Sequence, residues 1–269
     1  MTPFVWMFIK SYEKLRRYLI REKTITTLVQ LEYSAFDAAM VPLCAFVLKN
    51  AAAEGKGLYI KLSEFAGGLQ IQEEKLRQAL AAAECSYFYE CAAENFCKLP
   101  SSPIAYWANQ EVFRIFEKGT PMKNVVEARQ GIASGDNARF LRLWFEVEEN
   151  KINFNATSVA DFHQSGKLYA PHNKGGRYRR WYGNYDYVIK FDQENFAALA
   201  AMGNCLPSRQ FYFREAISWS LITSAGFSIR YRKSGSVPNV AGNSAFSADP
   251  DLLRYLLALL STPIADYLF

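Results

Sequence analysis

"VPLCAFVLKN" (residues 41–50) is a continuous apolar run bounded by Pro42 and Asn50. Its length and boundaries predict a strand buried on both faces. Upstream, "TITTLVQLE" (24–32) is short and β-branched, which predicts a second strand. Downstream, beyond the turn "AAAEGKG", "LYIKLSEF" (58–65) alternates as a third. Helices flank these strands. In "VWMFIKSYEKLRRYLIR" (5–21), Phe8, Tyr12, Leu15 and Leu19 recur at helical spacing with charges between them, and "QEEKLRQALAAAE" (72–84) is the second helical stretch. Helix, strand, strand is one end of an α/β sheet, with too little sheet to stand alone.

The rest of the chain carries shorter units. "NFCKLPSSPIAYWAN" (95–109) has two prolines, two serines and no clear period, which predicts a connector between two halves. "QEVFRIFEKG" (110–119) predicts a short helix closed by Gly119. Strand–turn–strand follows in "NVVEARQGIASGDNARFLRLWFEVEEN", then a turn and strand in "PHNKGGRYRRWYGNYDYVIKF" (171–191). "FREAISWSLITSAGFSIRYRKSG" (213–235) reads as a short helix and a strand. The last twenty-one residues predict a Leu-rich helix capped by Asp249 or Asp251 and broken near Pro263. That helix suits either core packing or a partner interface.

Composition narrows the function. With 269 residues, half of them apolar and 15% aromatic, the chain can bury a real core, so extended disorder is excluded. The net charge of +5 is modest, but its distribution is uneven. Residues 1–119 hold 14 Lys/Arg against 13 Asp/Glu, whereas residues 120–269 hold 17 against 13. From Lys167 to Lys190 there are six cations and one acid, Asp186. A local excess of this kind attracts polyanions, nucleic acid foremost. Cys85, Cys91 and Cys97 are six residues apart, a spacing that fits no CxxC pair, so reduced thiols are expected and a zinc site is not. No apolar run reaches the ~18–20 residues that span a bilayer, and "MTPFVWMFIK" has the wrong flanks for a signal peptide. These features predict a cytoplasmic chain without membrane contact.

Catalytic constellations are not apparent. His163 and His172 both fall near loops, and no GxSxG motif accompanies them. Both are expected at the surface, His172 within reach of a phosphate. "EKGTP" and "GGLQIQ" lack the endings or spacings of phosphate loops. "RQGIASGDN" is either a structural turn or a loop whose backbone amides and Arg129 or Arg139 meet a phosphate or base. For the 171–191 stretch a solvated hairpin competes with a binding surface. Binding is favoured, because cations interleaved with Tyr178, Trp181, Tyr182, Tyr185 and Tyr187 combine backbone neutralisation with stacking. "NKGG" would let the main chain approach a phosphate closely.

At "ARQGIASGDNARFLRLWFEV", "HNKGGRYRRWYGNYDYVIKF", "FREAISWSLITSAGFSIRYR" and "YLLALLSTPIADYLF" the chain resembles the PglX-type adenine-specific DNA methyltransferases of BREX phage-defence systems. More loosely, it is similar to the Eco57I-like restriction–modification enzymes. The stretch "WMFIKSYEKLRRYLIREKTITTLVQLEYSAFDAAMVPLCAFVLKN" looks like the last helix and strands of their methyltransferase domain, and "SPIAYWAN" like its exit. The resemblance implies an α/β chain: residues 1–108 as the C-terminal remnant of a Rossmann-like methyltransferase sheet with its connector, and 109–269 as an α+β target-recognition domain.

It also implies what is missing. The family's glycine-rich loop for S-adenosylmethionine and its [N/D/S]PP[Y/F/W] tetrapeptide do not occur in this sequence. In the family's order both lie upstream, so a truncated chain or a fragmented gene is expected, catalytically incomplete and holding no cofactor itself. The expected partners are double-stranded DNA, the missing N-terminal methyltransferase half and other defence-system subunits. Adenine must be extruded from the stack for such chemistry, so a second surface has to hold the duplex. Lys174, Arg177, Arg179 and Arg180 are the candidate phosphate contacts, with Asn173, Asn184 and Tyr185 as candidate base readers. Arg129, Asp136, Asn137 and Arg139 would belong to a loop facing DNA near the flipped base. The competing expectation is a protein-interaction module with no DNA affinity of its own.

Overall fold

The computed structural model describes residues 1–33, 41–52, 54–82, 84–222 and 226–268. Residue 83 of the expected 72–84 helix and residues 223–225 of the 213–235 unit lie outside the described residues. Two compact units divide the chain, Met1–Pro121 and Met122–Phe269. The expected boundary at 108/109 thus falls inside the first unit.

The first unit is built on a five-stranded mixed sheet. Its strands are Thr2–Pro3 (β1), Thr24–Gln30 (β2), Leu43–Lys49 (β3), Lys56–Lys61 (β4) and Phe88–Ala92 (β5), ordered β1-β3-β2-β4-β5. Only β2 and β4 run parallel. The helices are Glu13–Glu22 (α1), Gly68–Ala81 (α2) and Gln110–Lys118 (α3). β3 has one covered face, not two: Cys44 is fully buried, while Val47 is 58% exposed.

The expected helix over 5–21 is broken. Two 3-10 turns, Phe4–Met7 and Lys10–Tyr12, precede α1. Arg16, fully buried, explains the break. Its guanidinium donates to the carbonyls of Trp6 (2.8 Å) and Ile9 (2.7 Å), which a continuous helix would use in its own ladder, and to those of Ser101 (2.7 Å) and Ser102 (3.0 Å). The expected connector 95–109 is core instead. Phe96, Ile104 and Tyr106 are buried, Tyr106 stacks on Tyr59 at 4.8 Å, and its hydroxyl donates to Gln30 Oε1 at 2.7 Å. Burial here has no period because the backbone is irregular, so pattern reading misses it.

The second unit holds two four-stranded sheets. The first consists of Glu127–Arg129 (β6), Ala216–Ser220 (β10), Ile229–Arg232 (β11) and Gly242–Phe246 (β13), in the order β11-β10-β13-β6 and antiparallel throughout. The second consists of Leu141–Leu143 (β7), Tyr169–Asn173 (β8), Tyr187–Lys190 (β9) and Val237–Pro238 (β12), in the order β12-β8-β9-β7. Helices Asn137–Phe140 (α4), Val159–Gln164 (α5), Gln193–Ala201 (α6), Pro250–Leu260 (α7) and Pro263–Leu268 (α8) complete it.

β10 replaces the short helix expected after residue 213. Its alternation decides the matter: Ile217 joins the apolar face under α7, and Ser218 and Ser220 line the opposite face. α7 is the predicted Leu-rich helix. Asp249 caps it by accepting from the Asp251 amide at 2.9 Å, and Leu253 and Leu256 pack on Ile217, Ile229 and Ala245. A second core gathers Phe140, Phe162, Phe191 and Phe213, with Phe162 stacked on Phe213 at 5.7 Å. Among the described residues no helix is long and apolar enough to cross a membrane.

Candidate nucleic-acid interface

β8 ends at Asn173 and β9 begins at Tyr187, and the cationic loop between them is pinned at both ends. At its base the Lys174 amide donates to the Asn184 carbonyl at 3.1 Å. Asn173 braces the same turn: its Nδ2 donates to the carbonyls of Gly183 (3.0 Å) and Asn184 (3.2 Å), and its Oδ1 accepts from Ser218 Oγ (3.2 Å). Asn184 adopts φ +61°, a left-handed conformation that asparagine tolerates, and donates to the Arg177 carbonyl at 3.3 Å. Farther out, the Trp181 amide donates to the Ile229 carbonyl (3.1 Å), and the Tyr231 amide donates to that of Trp181 (2.8 Å). The loop therefore covers the free edge of β11. This is an ordered platform rather than a solvated hairpin.

Beneath it lie two fully buried arginines. Arg230 donates to Ser228 Oγ (2.9 Å) and Ser220 Oγ (3.2 Å), and Arg232 to the Ser236 carbonyl (2.8 Å). Burial pushes the Arg232 guanidinium down to about 10, which leaves it charged at neutral pH. Among the described residues neither has a carboxylate partner. Their charge adds to the potential of the surface above them. They alternate with Ile229 and Tyr231 along β11, which sets both on one strand face.

The expected site residues separate into groups. Lys174, Arg177 and Arg179 line one cleft of about 540 Å³, together with Leu143, Phe145, Gly175, Gly176, Asn184, Asp186 and Tyr187. Lys174 Nζ sits 4.6 Å from the centre of the Tyr187 ring, and Arg177 is exposed with no ion-pair partner among the described residues. Arg179 Nη2 lies 3.9 Å from Asp186 Oδ1. Arg180 does not line the cleft, because it pairs with Asp266 of α8. Arg129, Asp136, Asn137 and Arg139 do not line it either. Arg129 pairs with Glu127 and lies over Phe211, Asp136 caps α4, Asn137 accepts from Ser134, and Arg139 lies over Phe140.

Several expected roles need correction. Asn173 and Asn184 are buried and spend their amides on the loop itself, so they are scaffold rather than base readers. Tyr185 stacks on Tyr182 at 5.2 Å, and its hydroxyl accepts from the Lys233 amide at 3.0 Å. His172 is not at the surface but fully buried on β8, and half-buried His163 bonds the Phe191 carbonyl. The sequence reading also missed Phe145 and Asp186 at the cleft and Trp144 beside Phe145. Trp144 (55% exposed) and Phe145 (65%) form a protruding pair at the end of β7, and Asp186 lies among the cations. Two consecutive large aromatics in "RLWFEV" were the available signal, since a strand can bury only one of them.

Gly175 has a packing role rather than the ligand-approach role expected for "NKGG". A Cβ there would lie 2.0 Å from the Ala241 carbonyl oxygen, a backbone atom with no room to move. Through this clash Gly175→Ala is expected to destabilise the second unit by about 3 kcal/mol, measured by urea unfolding. A Cβ on Gly176 would meet no atom within 4 Å, and glycine is required there for its φ of +151° instead.

The second unit thus carries an exposed cationic cleft with aromatic walls on a two-sheet scaffold. Two curated relatives place the chain more narrowly. It is 33% identical over 276 residues to the adenine-specific methyltransferase PglX of Lacticaseibacillus casei (strain Zhang). It is 30% identical over 268 residues to the adenine-specific methyltransferase BrxX of Escherichia coli O9:H4 (strain HS). Each match covers 97% of this chain but only 22% and 21% of the relative. The chain thus matches one portion, about a fifth of the length, of PglX- and BrxX-type adenine-specific methyltransferases. No protein-family model matches it. Among solved structures it is similar to the type IIG restriction endonuclease BpuSI (10% identity, 97% of this chain and 36% of that one, TM-score 0.34). It is also similar to a chain from a type I restriction–modification complex (12% identity, 44% and 28%, TM-score 0.30). Scores this low carry no argument of their own.

Proposed function

We propose that this chain is the part of an adenine-N6 DNA methyltransferase of phage defence that recognises double-stranded DNA by sequence. On this reading the second unit is the target-recognition domain, and the mixed sheet of the first continues a Rossmann-like methyltransferase domain. The carrying observation is the cleft that gathers Lys174, Arg177 and Arg179 beside exposed aromatics. No glycine-rich loop for S-adenosylmethionine occurs in this sequence. That cofactor's site needs a glycine-rich turn after a strand and a carboxylate for the ribose. Methyl transfer is therefore assigned to the rest of such an enzyme, and this chain holds the duplex in register.

Salt titration of duplex binding, followed by fluorescence anisotropy, is the test. Four to five phosphate contacts give a log–log slope of about −3.6 to −4.5. A slope near zero would overturn the reading. It would favour a protein-docking role instead, for which Tyr255 (62% exposed), Ile264 (60%) and Tyr267 (56%) on α7 and α8 offer surface.

A further inference from the structure

Resting on that reading, we propose that Asp186 reads the cytosine of a C·G pair by accepting from its N4 amino group. Asp186 is the one acid between Lys167 and Lys190, and it lines the same cleft as Lys174, Arg177 and Arg179. Its side chain is 55% exposed, and the nearest cation, Arg179 Nη2, stays 3.9 Å away. That makes a loose ion pair, too long for a charge-assisted hydrogen bond, so the carboxylate keeps its lone pairs open to another donor. Its backbone is fixed: the Asp186 carbonyl accepts from the Trp144 amide at 3.1 Å. On one side Tyr185 is anchored through its hydroxyl to the Lys233 amide, and on the other Tyr187 pairs in register with Leu143 and His172.

On a surface that binds phosphates, a free carboxylate weakens every duplex unless it meets a donor. Duplex DNA presents donors only on its bases: cytosine N4 and adenine N6 in the major groove, guanine N2 in the minor. An ionised carboxylate can only accept, so it repels guanine O6 and N7 and thymine O4. Of the two major-groove donors, adenine N6 lies beside that base's own N7 acceptor, which repels a carboxylate. Cytosine shows only its N4 donor there, so a C·G pair is the better match.

Selection from a library of randomised duplexes tests this with the wild-type chain, Asp186→Asn and Asp186→Ala. Asp186→Asn keeps the side chain's shape, and its exposure makes folding insensitive to the change. The wild type is expected to enrich a motif with one fixed C·G column, and Asp186→Asn to relax that column alone. Asp186→Ala should bind the selected duplex about 10- to 100-fold more weakly, while binding unrelated duplexes as well as or better than the wild type. If both variants keep every column, or Asp186→Ala tightens selected and unrelated duplexes equally, Asp186 is only a surface charge and the inference fails. Salt-dependent binding with no enriched motif also overturns it, with the DNA-binding reading intact. A flat salt dependence overturns both.

Discussion

With Lys174, Arg177 and Arg179 all replaced by alanine, the chain is expected to bind duplex DNA on the order of 100-fold more weakly at ~0.15 M salt. The estimate follows from counterion release. Each phosphate contact contributes about 0.9 to the log–log slope, which at ~0.15 M salt is roughly a fivefold factor, and three factors multiply. The slope itself should flatten by about 2.7, and the loss should shrink as salt approaches ~1 M. Arg177 and Arg179 are exposed and Lys174 is braced only by the Tyr187 ring, so the variant should fold normally by circular dichroism and unfold at an unchanged temperature. Arg180→Ala is the informative contrast. Asp266 already neutralises Arg180, so its loss should change affinity less than that of Arg177, which has no such partner. Equal effects from the two would mean that this surface acts by net charge alone, with no built cleft.

The contrast between Arg177 and Arg180 shows where sequence reading stopped. That a dense cationic segment lay between residues 167 and 190, and that β2 is β-branched, was legible from composition, and the alternating β4 and the capped α7 were legible from pattern. Which cation is free was not legible, because Asp266 lies 86 residues from Arg180. Asn173 and Asn184 failed for the same reason. As polar residues in a glycine-rich turn they looked available, but Ser218, 45 residues along the chain, takes one amide, and the loop's own carbonyls take the rest. β10 was misread because "FREAIS" contains good helix formers, whereas pairing with β11 and β13 decides a strand's state. The N-terminal helix was overextended because nothing local announces that Arg16 will collect carbonyls from four separate residues. Local pattern fixes elements that answer to one buried face. Long-range polar pairing decides the rest.

His172 makes the second unit acid-labile, and the size and sign of the effect follow from its partners. The imidazole is fully buried, with Nε2 3.0 Å from Asn239 Nδ2. Asn239 Oδ1 accepts from the Ala241 amide at 2.9 Å, and its Nδ2 also donates to the Ile132 carbonyl at 3.2 Å, so the amide turns its nitrogen toward the ring. Nε2 must then accept, and a proton placed on it would face a donor. Burial first, and the nearby Lys174 charge second, push His172 down to about 3, from an ordinary value of 6.5. The unfolded chain therefore binds a proton that the folded one refuses, and stability rises with pH across this window. The contribution is complete above about pH 6.5 and is lost progressively as pH falls toward 3. The slope approaches about 1.4 kcal/mol per pH unit, so lowering the pH from ~7 to ~4.5 should cost roughly 2–3 kcal/mol through this one group. Carboxylates add acid sensitivity of their own, and His172→Gln separates the two. Glutamine can still accept from Asn239 but does not titrate in this range. Urea unfolding of both proteins at ~pH 7 and ~pH 4.5 should give a drop about 2–3 kcal/mol smaller for His172→Gln than for the wild type. Parallel losses in the two proteins would mean that His172 is already protonated in the fold, and the Asn239 network would then have to be drawn with the amide reversed.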